Sequence, residues 1–150
     1  MSEKDKALEP SKPVVEGLGW GGILPFLLLP VAAAVQVDPA LETLLIAYGL
    51  LILAFLCGTL WMEQLLGPER STAKVLASNL ILLAAWPAIV LPLAWASALM
   101  SAGFAVHLLL DAPWRASALV GWYRRLRLRL SLVVISTLVV TLSVQIVHGP

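Results

Sequence analysis

Long apolar runs without charged residues dominate the chain. Residues 17–37, 43–62 and 130–147 contain no Asp, Glu, Lys or Arg, and a longer run of the same kind extends from residue 75 to residue 110. The hydrocarbon core of a bilayer is about 30 Å thick and needs roughly 20 helical residues to cross it. Each of the three shorter runs therefore predicts one transmembrane helix.

The longest run predicts two helices. As a single helix, residues 75–110 would be roughly 54 Å long, well beyond one crossing. Pro87 and Pro92 each remove a helical hydrogen bond, and Trp86 and Trp95 beside them suit a membrane interface. The pattern thus predicts a disordered tail over residues 1–16, followed by a five-helix bundle over residues 17–147 with spans at about 17–37, 41–63, 72–90, 92–111 and 127–147.

The distribution of positive charge supports five helices. Short cytoplasmic loops are enriched in Lys and Arg. With the N-terminus in the cytoplasm, all ten basic residues fall on the cytoplasmic side: Lys4, Lys6, Lys12, Arg70, Lys74, Arg115, Arg124, Arg125, Arg127 and Arg129. A single crossing through residues 75–110 would instead divide them evenly between the two sides. We expect an all-α integral membrane protein with a cytoplasmic N-terminus and a periplasmic C-terminus, its first apolar run kept as a span and not removed as a signal peptide.

Composition excludes a soluble domain. The chain is 60% hydrophobic and 13% charged, with a mean hydropathy of +0.92. Globular domains average about 45–50% apolar and 25% charged residues. The net charge of +1 gives no general attraction for nucleic acids. The single cysteine, Cys57, allows no internal disulfide and is most simply a small residue that permits close helix packing.

A basic and aromatic cluster precedes the last span. In a helix its arginines spread over an arc of about 200°, so they do not form one narrow face. We expect them to reach the lipid phosphates, with the two aromatic residues as interfacial anchors. A specific site for anionic lipid or for a partner protein stays open as an alternative, since each basic residue near a membrane contributes about 1 kcal/mol. The cluster comprises Trp122, Tyr123, Arg124, Arg125, Arg127 and Arg129.

Polar residues close to the predicted inner helix ends form a second candidate site. His107 and Asp111 are four residues apart, a spacing that allows an ion pair on one helix face. They belong to a predicted cytoplasmic rim of Glu63, Lys74, Asn79, His107 and Asp111. These residues are either interfacial groups that pair with one another or a proton-relay or binding site. Two ligands do not make a metal cage, so we expect neither a metal nor another cofactor.

The sequence leaves three functional classes. It has no Ser/His/Asp set, no HExxH and no phosphate-binding loop, and so predicts no catalytic residues. This favours a non-catalytic binding, assembly or accessory protein, with membrane lipids, a membrane protein or a second copy as partner. A small transporter or channel subunit is the alternative, because Pro25 and Pro30 can break the first helix and broken helices build substrate sites. An intramembrane enzyme would depend on His107 and Asp111.

Two segments resemble a known family. "YGLLILAFLCGTLW" and "WYRRLRLRLSL" are similar to small bacterial inner-membrane proteins that carry a domain of unknown function, a family that also includes vertebrate transmembrane protein 69. Residues that match the pattern of the family's second helix are Tyr48, Phe55, Leu56, Gly58 and Trp61. The chain departs from it at Ala54, Cys57, Leu60 and Met62, where the family has Ser, Gly, His and Gly. The resemblance implies a five-helix bundle of the bacterial inner membrane and supplies no activity.

Overall fold

The computed structural model describes residues 11–35, 38–66, 71–112 and 121–148, and this part of the chain is helical. We number its α-helices in chain order and name the short 3-10 helix η1. The elements are α1 (Lys12–Gly21), α2 (Leu24–Val35), α3 (Pro39–Leu66), α4 (Thr72–Ala85), η1 (Trp86–Val90), α5 (Leu93–Asp111) and α6 (Gly121–His148).

The described residues contain five spans that are long and apolar enough to cross a membrane, which confirms the predicted number. The spans are Lys12–Val35, Pro39–Leu66, Thr72–Val90, Leu93–Asp111 and Gly121–Val147. Many leucine and valine side chains of these spans are exposed, as contact with lipid would require. By length and composition the fold is that of a multi-pass helical membrane protein.

Helix α1 begins earlier than the sequence indicated. Residues 12–16 are helical, although they belong to the segment predicted as a disordered tail. Pro13 lies in the first helical turn, where its missing N–H would have had no intrahelical partner and its fixed φ suits a helix start. Lys4 and Lys6, also assigned to that tail, lie outside the described residues.

The first span is two helices, where the predicted span was continuous and only the transporter alternative included a break at Pro25 and Pro30. The chain turns at Gly22 and Ile23 between α1 and α2. Pro25 explains the position of the break, because a proline in a continuous helix collides with the carbonyl four residues earlier, here that of Gly21. Pro30, by contrast, lies inside α2. Since α1 has ten residues and α2 has twelve, the break falls near the middle of the span.

The break predicted within the longest apolar run is present. Helix α4 ends at Ala85, and η1 carries the chain to Leu91, whose backbone is extended as expected for a residue before proline. Helix α5 then begins directly after Pro92. Trp86 and Trp95 are both mostly exposed beside this turn, in keeping with an interfacial position.

Helix α6 packs most extensively against α5 and α2, and α3 packs against α4 and α5. An aromatic cluster lies where α2, α3 and α5 meet. The ring of Phe26 stands edge-on to Tyr48 at 5.7 Å and to Phe104 at 5.8 Å between centroids. Gly49 provides space beside this cluster, because a Cβ there would lie 3.3 Å from Cε1 of Phe26 and 2.7 Å from the terminal methyl carbon of Met100.

The two ends of the bundle differ in charge because successive spans run in opposite directions. One end, which we call the basic end, carries every Lys and Arg of the described residues together with Glu16, Glu63 and Asp111. The other carries Asp38 and Glu42, and Asp38 accepts a hydrogen bond from the backbone N–H of Ala40 at 2.8 Å. Arg70 and Arg115 lie outside the described residues.

Candidate functional site

A buried ion pair joins the last two helices at the basic end. Nη2 of Arg127 lies 2.9 Å from Oδ1 of Asp111, and both side chains are almost fully buried, with 6% and 3% of their surface exposed. Asp111 ends α5 and Arg127 lies in the second turn of α6, so the pair joins these two helices. Asp111 therefore binds Arg127, and not His107 as its spacing along the helix had indicated.

The arginines of α6 do not share one environment. Arg125 and Arg129 are exposed on one side of the helix, as expected for lipid anchors, whereas Arg127 points into the protein from the opposite side. The Arg127 guanidinium carbon lies 5.7 Å from the ring centroid of Tyr123, one turn earlier, within the range of a cation–π contact. That ring in turn meets Trp122 edge-on at 5.8 Å. Unlike Arg125 and Arg129, Arg127 therefore does not face the outer surface of the bundle.

His107 is buried beside the ion pair. Only 1% of its surface is exposed, and neither ring nitrogen makes a hydrogen bond within the described part of the chain. The imidazole lies against the backbone of Leu56 and is close enough to Arg127 to interact with its charge. A buried polar side chain that lacks a well-formed hydrogen bond costs about 1–3 kcal/mol, so the imidazole is a candidate functional group.

The remaining predicted rim residues are only partly brought together. The charge of Lys74 acts on Asp111, which places it with the ion pair. One carboxylate oxygen of Glu63 is buried without a hydrogen bond to any described residue. Asn79 is exposed and its amide donates to the carbonyl oxygen of Val75 at 2.9 Å, so it faces away from the cluster. Gln64 was not among the predicted rim residues, yet its Oε1 accepts a hydrogen bond from the backbone N–H of Ser71 at 2.8 Å.

An apolar cavity of about 300 Å³ opens between α1, α3 and α6, and we call it the lateral groove. Phe26 and Phe104 form its floor, and the walls are almost entirely aliphatic and aromatic. Tyr123, Arg127 and Ser131 are its polar lining residues, one turn apart along α6. The groove therefore has a charged end beside the ion pair and an apolar end near the middle of the spans.

The break in the first span lies in the wall of this groove. Gly22 lines the groove, and the turn leaves its carbonyl oxygen outside the helical hydrogen-bond pattern. The Tyr48 hydroxyl donates a hydrogen bond to that oxygen at 2.9 Å. A bilayer offers no water to a backbone carbonyl without a hydrogen bond, so the Tyr48 hydroxyl supplies the donor that the Gly22 carbonyl oxygen lacks at the break.

Residues that matched the family pattern in the sequence have separate positions in the structure. Phe55 and Leu56 line the lateral groove, and Tyr48 caps the break beside it. The indole N–H of Trp61 donates to Oγ of Ser78 at 2.9 Å and joins α3 to α4. Gly58 faces open space, so it does not serve close helix packing, whereas Cys57 is buried in the core.

The described ranges contain no group of three His, Cys, Asp or Glu side chains able to hold a metal ion. The chemistry that the site offers is thus an apolar volume, a buried ion pair and a buried imidazole.

Five apolar spans around a lateral groove define a multi-pass helical protein. Its sequence matches the model of one family over residues 11–143: the chain belongs to the family described as protein of unknown function (DUF3429). Comparison with curated proteins and with solved structures gave no match. The family resemblance inferred from the sequence is therefore confirmed as far as a domain of unknown function.

Proposed function

We propose that this protein is a non-catalytic binding or accessory protein of the bacterial inner membrane, and that it holds a membrane-resident molecule in the lateral groove. One observation carries the proposal: a cavity of about 300 Å³ with apolar walls has a buried ion pair at one end. This volume lies at the lower limit of small-molecule sites, which are typically mostly apolar with a few placed polar groups.

The orientation belongs to the same proposal. Lys12, Lys74 and the four arginines of α6 lie at one end of the bundle, and Asp38 and Glu42 lie at the other. The enrichment of basic residues on the cytoplasmic side supports a cytoplasmic N-terminus and a periplasmic C-terminus. The charged end of the groove then faces the inner leaflet. We also propose kinship with vertebrate transmembrane protein 69, on the basis of the motif from Tyr48 to Trp61.

The break between α1 and α2 favours a second candidate, a small transporter or channel subunit. Transporters commonly place substrate sites at discontinuous helices near the middle of the membrane. Here the break lies in the groove wall, but Tyr48 already occupies the free carbonyl of Gly22. An enzyme using His107 and Asp111 would be a third candidate, and no contact between these two side chains supports it, because Asp111 binds Arg127.

Extraction of the protein from its native membrane into a lipid-preserving polymer, followed by mass spectrometry, tests this proposal. Ser131→Phe places a large side chain in the groove, and Ser136→Phe makes the same change on an exposed part of α6. We expect a molecule that is retained in stoichiometric amount by the wild type and by Ser136→Phe, and is lost from Ser131→Phe. A retained protein subunit that is unaffected by Ser131→Phe would make assembly the function and leave the groove without a role.

A further inference from the structure

We propose that the lateral groove takes one acyl chain of an anionic phospholipid, whose phosphate lies at Arg127 and Tyr123. This inference rests on the proposed function and names the class of ligand. Three features of the groove carry it: its length, the position of its charged end and the chemistry of its walls.

The length of the groove matches one leaflet. Its α6 lining extends from Tyr123 to Val134, which is about 16 Å along a helix. Half of the bilayer hydrocarbon core is about 15 Å. The groove thus begins where lipid headgroups lie and ends close to the bilayer middle, near Phe26 and the break in the first span. A ligand that crossed both leaflets would not fit this shape, but a single acyl chain does.

The charged end suits a phosphate. A guanidinium carries five N–H groups, and the contact of Arg127 Nη2 with Asp111 does not use them all. The pairing with Asp111 holds the guanidinium in place at the groove wall, and planar guanidinium groups are well matched to phosphate oxygens. Tyr123 lines the same end and offers a phenol hydroxyl.

The surroundings carry positive charge as well. Among the described residues of the basic end, Lys12, Lys74, Arg124, Arg125, Arg127 and Arg129 outnumber Glu16, Glu63 and Asp111. Beyond this end the groove walls offer apolar side chains and Ser131 alone as a polar one. An anionic headgroup with an apolar tail therefore meets complementary chemistry at each end, whereas the choline cation of a zwitterionic lipid would lie among these basic residues.

Native mass spectrometry of the purified full chain tests the inference. The protein is mixed in detergent with equal amounts of phosphatidylglycerol and phosphatidylcholine of identical acyl chains. The abundances of the protein ions that carry a single bound molecule of each lipid are then compared. One basic residue near a membrane surface corresponds to a preference of about fivefold for an anionic lipid. We expect at least this preference in the wild type, and loss of both adducts in Ser131→Phe and in Val15→Trp, which fills the groove from α1.

Two charge variants separate the groove from general surface charge. The double variant Asp111→Asn/Arg127→Gln leaves the net charge unchanged and should abolish the preference for phosphatidylglycerol. Arg129→Gln removes one exposed charge from the same helix and should retain most of the preference. The reverse result would mean that diffuse charge selects the lipid, and would overturn the inference.

The remaining outcomes distinguish the inference from the proposed function. Equal adducts of the two lipids, both lost in the filling variants, would overturn the anionic ligand and leave the groove as a binding site. Adducts that persist in Ser131→Phe and Val15→Trp would remove the groove from both proposals.

Discussion

The hydroxyl of Tyr48 lies 2.9 Å from the carbonyl oxygen of Gly22, twenty-six residues earlier in the chain. This hydrogen bond joins the middle of α3 to the point where the first span breaks. It allows a helix to be interrupted inside an apolar bundle without an open acceptor, and it keeps Gly22 in the wall of the lateral groove. One side chain thus links a family-motif position to the shape of the proposed site.

Replacing Tyr48 by phenylalanine should destabilise the protein by about 1 kcal/mol, within the range for a carbonyl that loses its donor. Equilibrium unfolding in mixed detergent micelles measures the change. Tyr123→Phe is the matched control, because Tyr123 contacts Trp122 and Arg127 through its ring, which phenylalanine retains. Equal stability of Tyr48→Phe and the wild type would mean that the break needs no cap.

The ion pair of Asp111 and Arg127 should show strong energetic coupling. Asp111→Asn or Arg127→Gln alone leaves one buried charge without its partner and should cost about 3–5 kcal/mol. The double variant removes both charges and should recover most of that loss. A double-mutant cycle of unfolding free energies checks this, and single variants as stable as the wild type would show that the pair does not hold α5 to α6.

Two glycines of α3 should respond in opposite ways to alanine. At Gly49 the added Cβ would lie 2.7 Å from Met100 and 3.3 Å from Phe26, and overpacking of this kind costs about 1–3 kcal/mol. At Gly58 it would meet open space, so the better helix propensity of alanine makes the change neutral or slightly stabilising. Shortening Met100 to alanine should relieve the clash in Gly49→Ala. A loss of equal size at both glycines would contradict the packing described here.

Substitution of His107 tests whether its imidazole has a functional role or only fills space in the core. His107→Leu keeps an apolar side chain of similar size and removes two buried nitrogens that make no hydrogen bond to the described residues. The substitution should leave stability unchanged or raise it by about 1–2 kcal/mol. If lipid retention and growth are also unchanged, a catalytic role for His107 is excluded. A clear loss of stability would reveal a partner for the imidazole.

The proposed orientation predicts which positions are accessible from outside an intact cell. In a chain with Cys57 replaced by alanine, a single cysteine at Asp38 should react with an impermeant maleimide. Single cysteines at Lys74 or Arg125, at the other end of the bundle, should react only after the membrane is opened. Labelling of Arg125 and not Asp38 in intact cells would invert the orientation and place the charged end of the groove in the outer leaflet.

The sequence predicted the spans better than the site. Run lengths, together with Pro87 and Pro92, indicated five helices, because the thickness of a bilayer and the geometry of proline act locally. The inward direction of Arg127 depends on which side of α6 faces Asp111, and four arginines within six residues look alike in the sequence. The lateral groove could not be predicted either, because its lining comes from five helices whose packing no local pattern encodes.

The central claim is that a lipid occupies the lateral groove, and photo-crosslinking in native membranes tests it most directly. Azidophenylalanine is a close substitute for Phe55, which lines the groove yet is mostly exposed, and Leu51, one turn earlier and also exposed, is the control outside it. We predict a phospholipid adduct at Phe55 in high yield that Ser131→Phe suppresses, and a lower, unchanged yield at Leu51. Equal yields at both positions that do not respond to Ser131→Phe would contradict the claim.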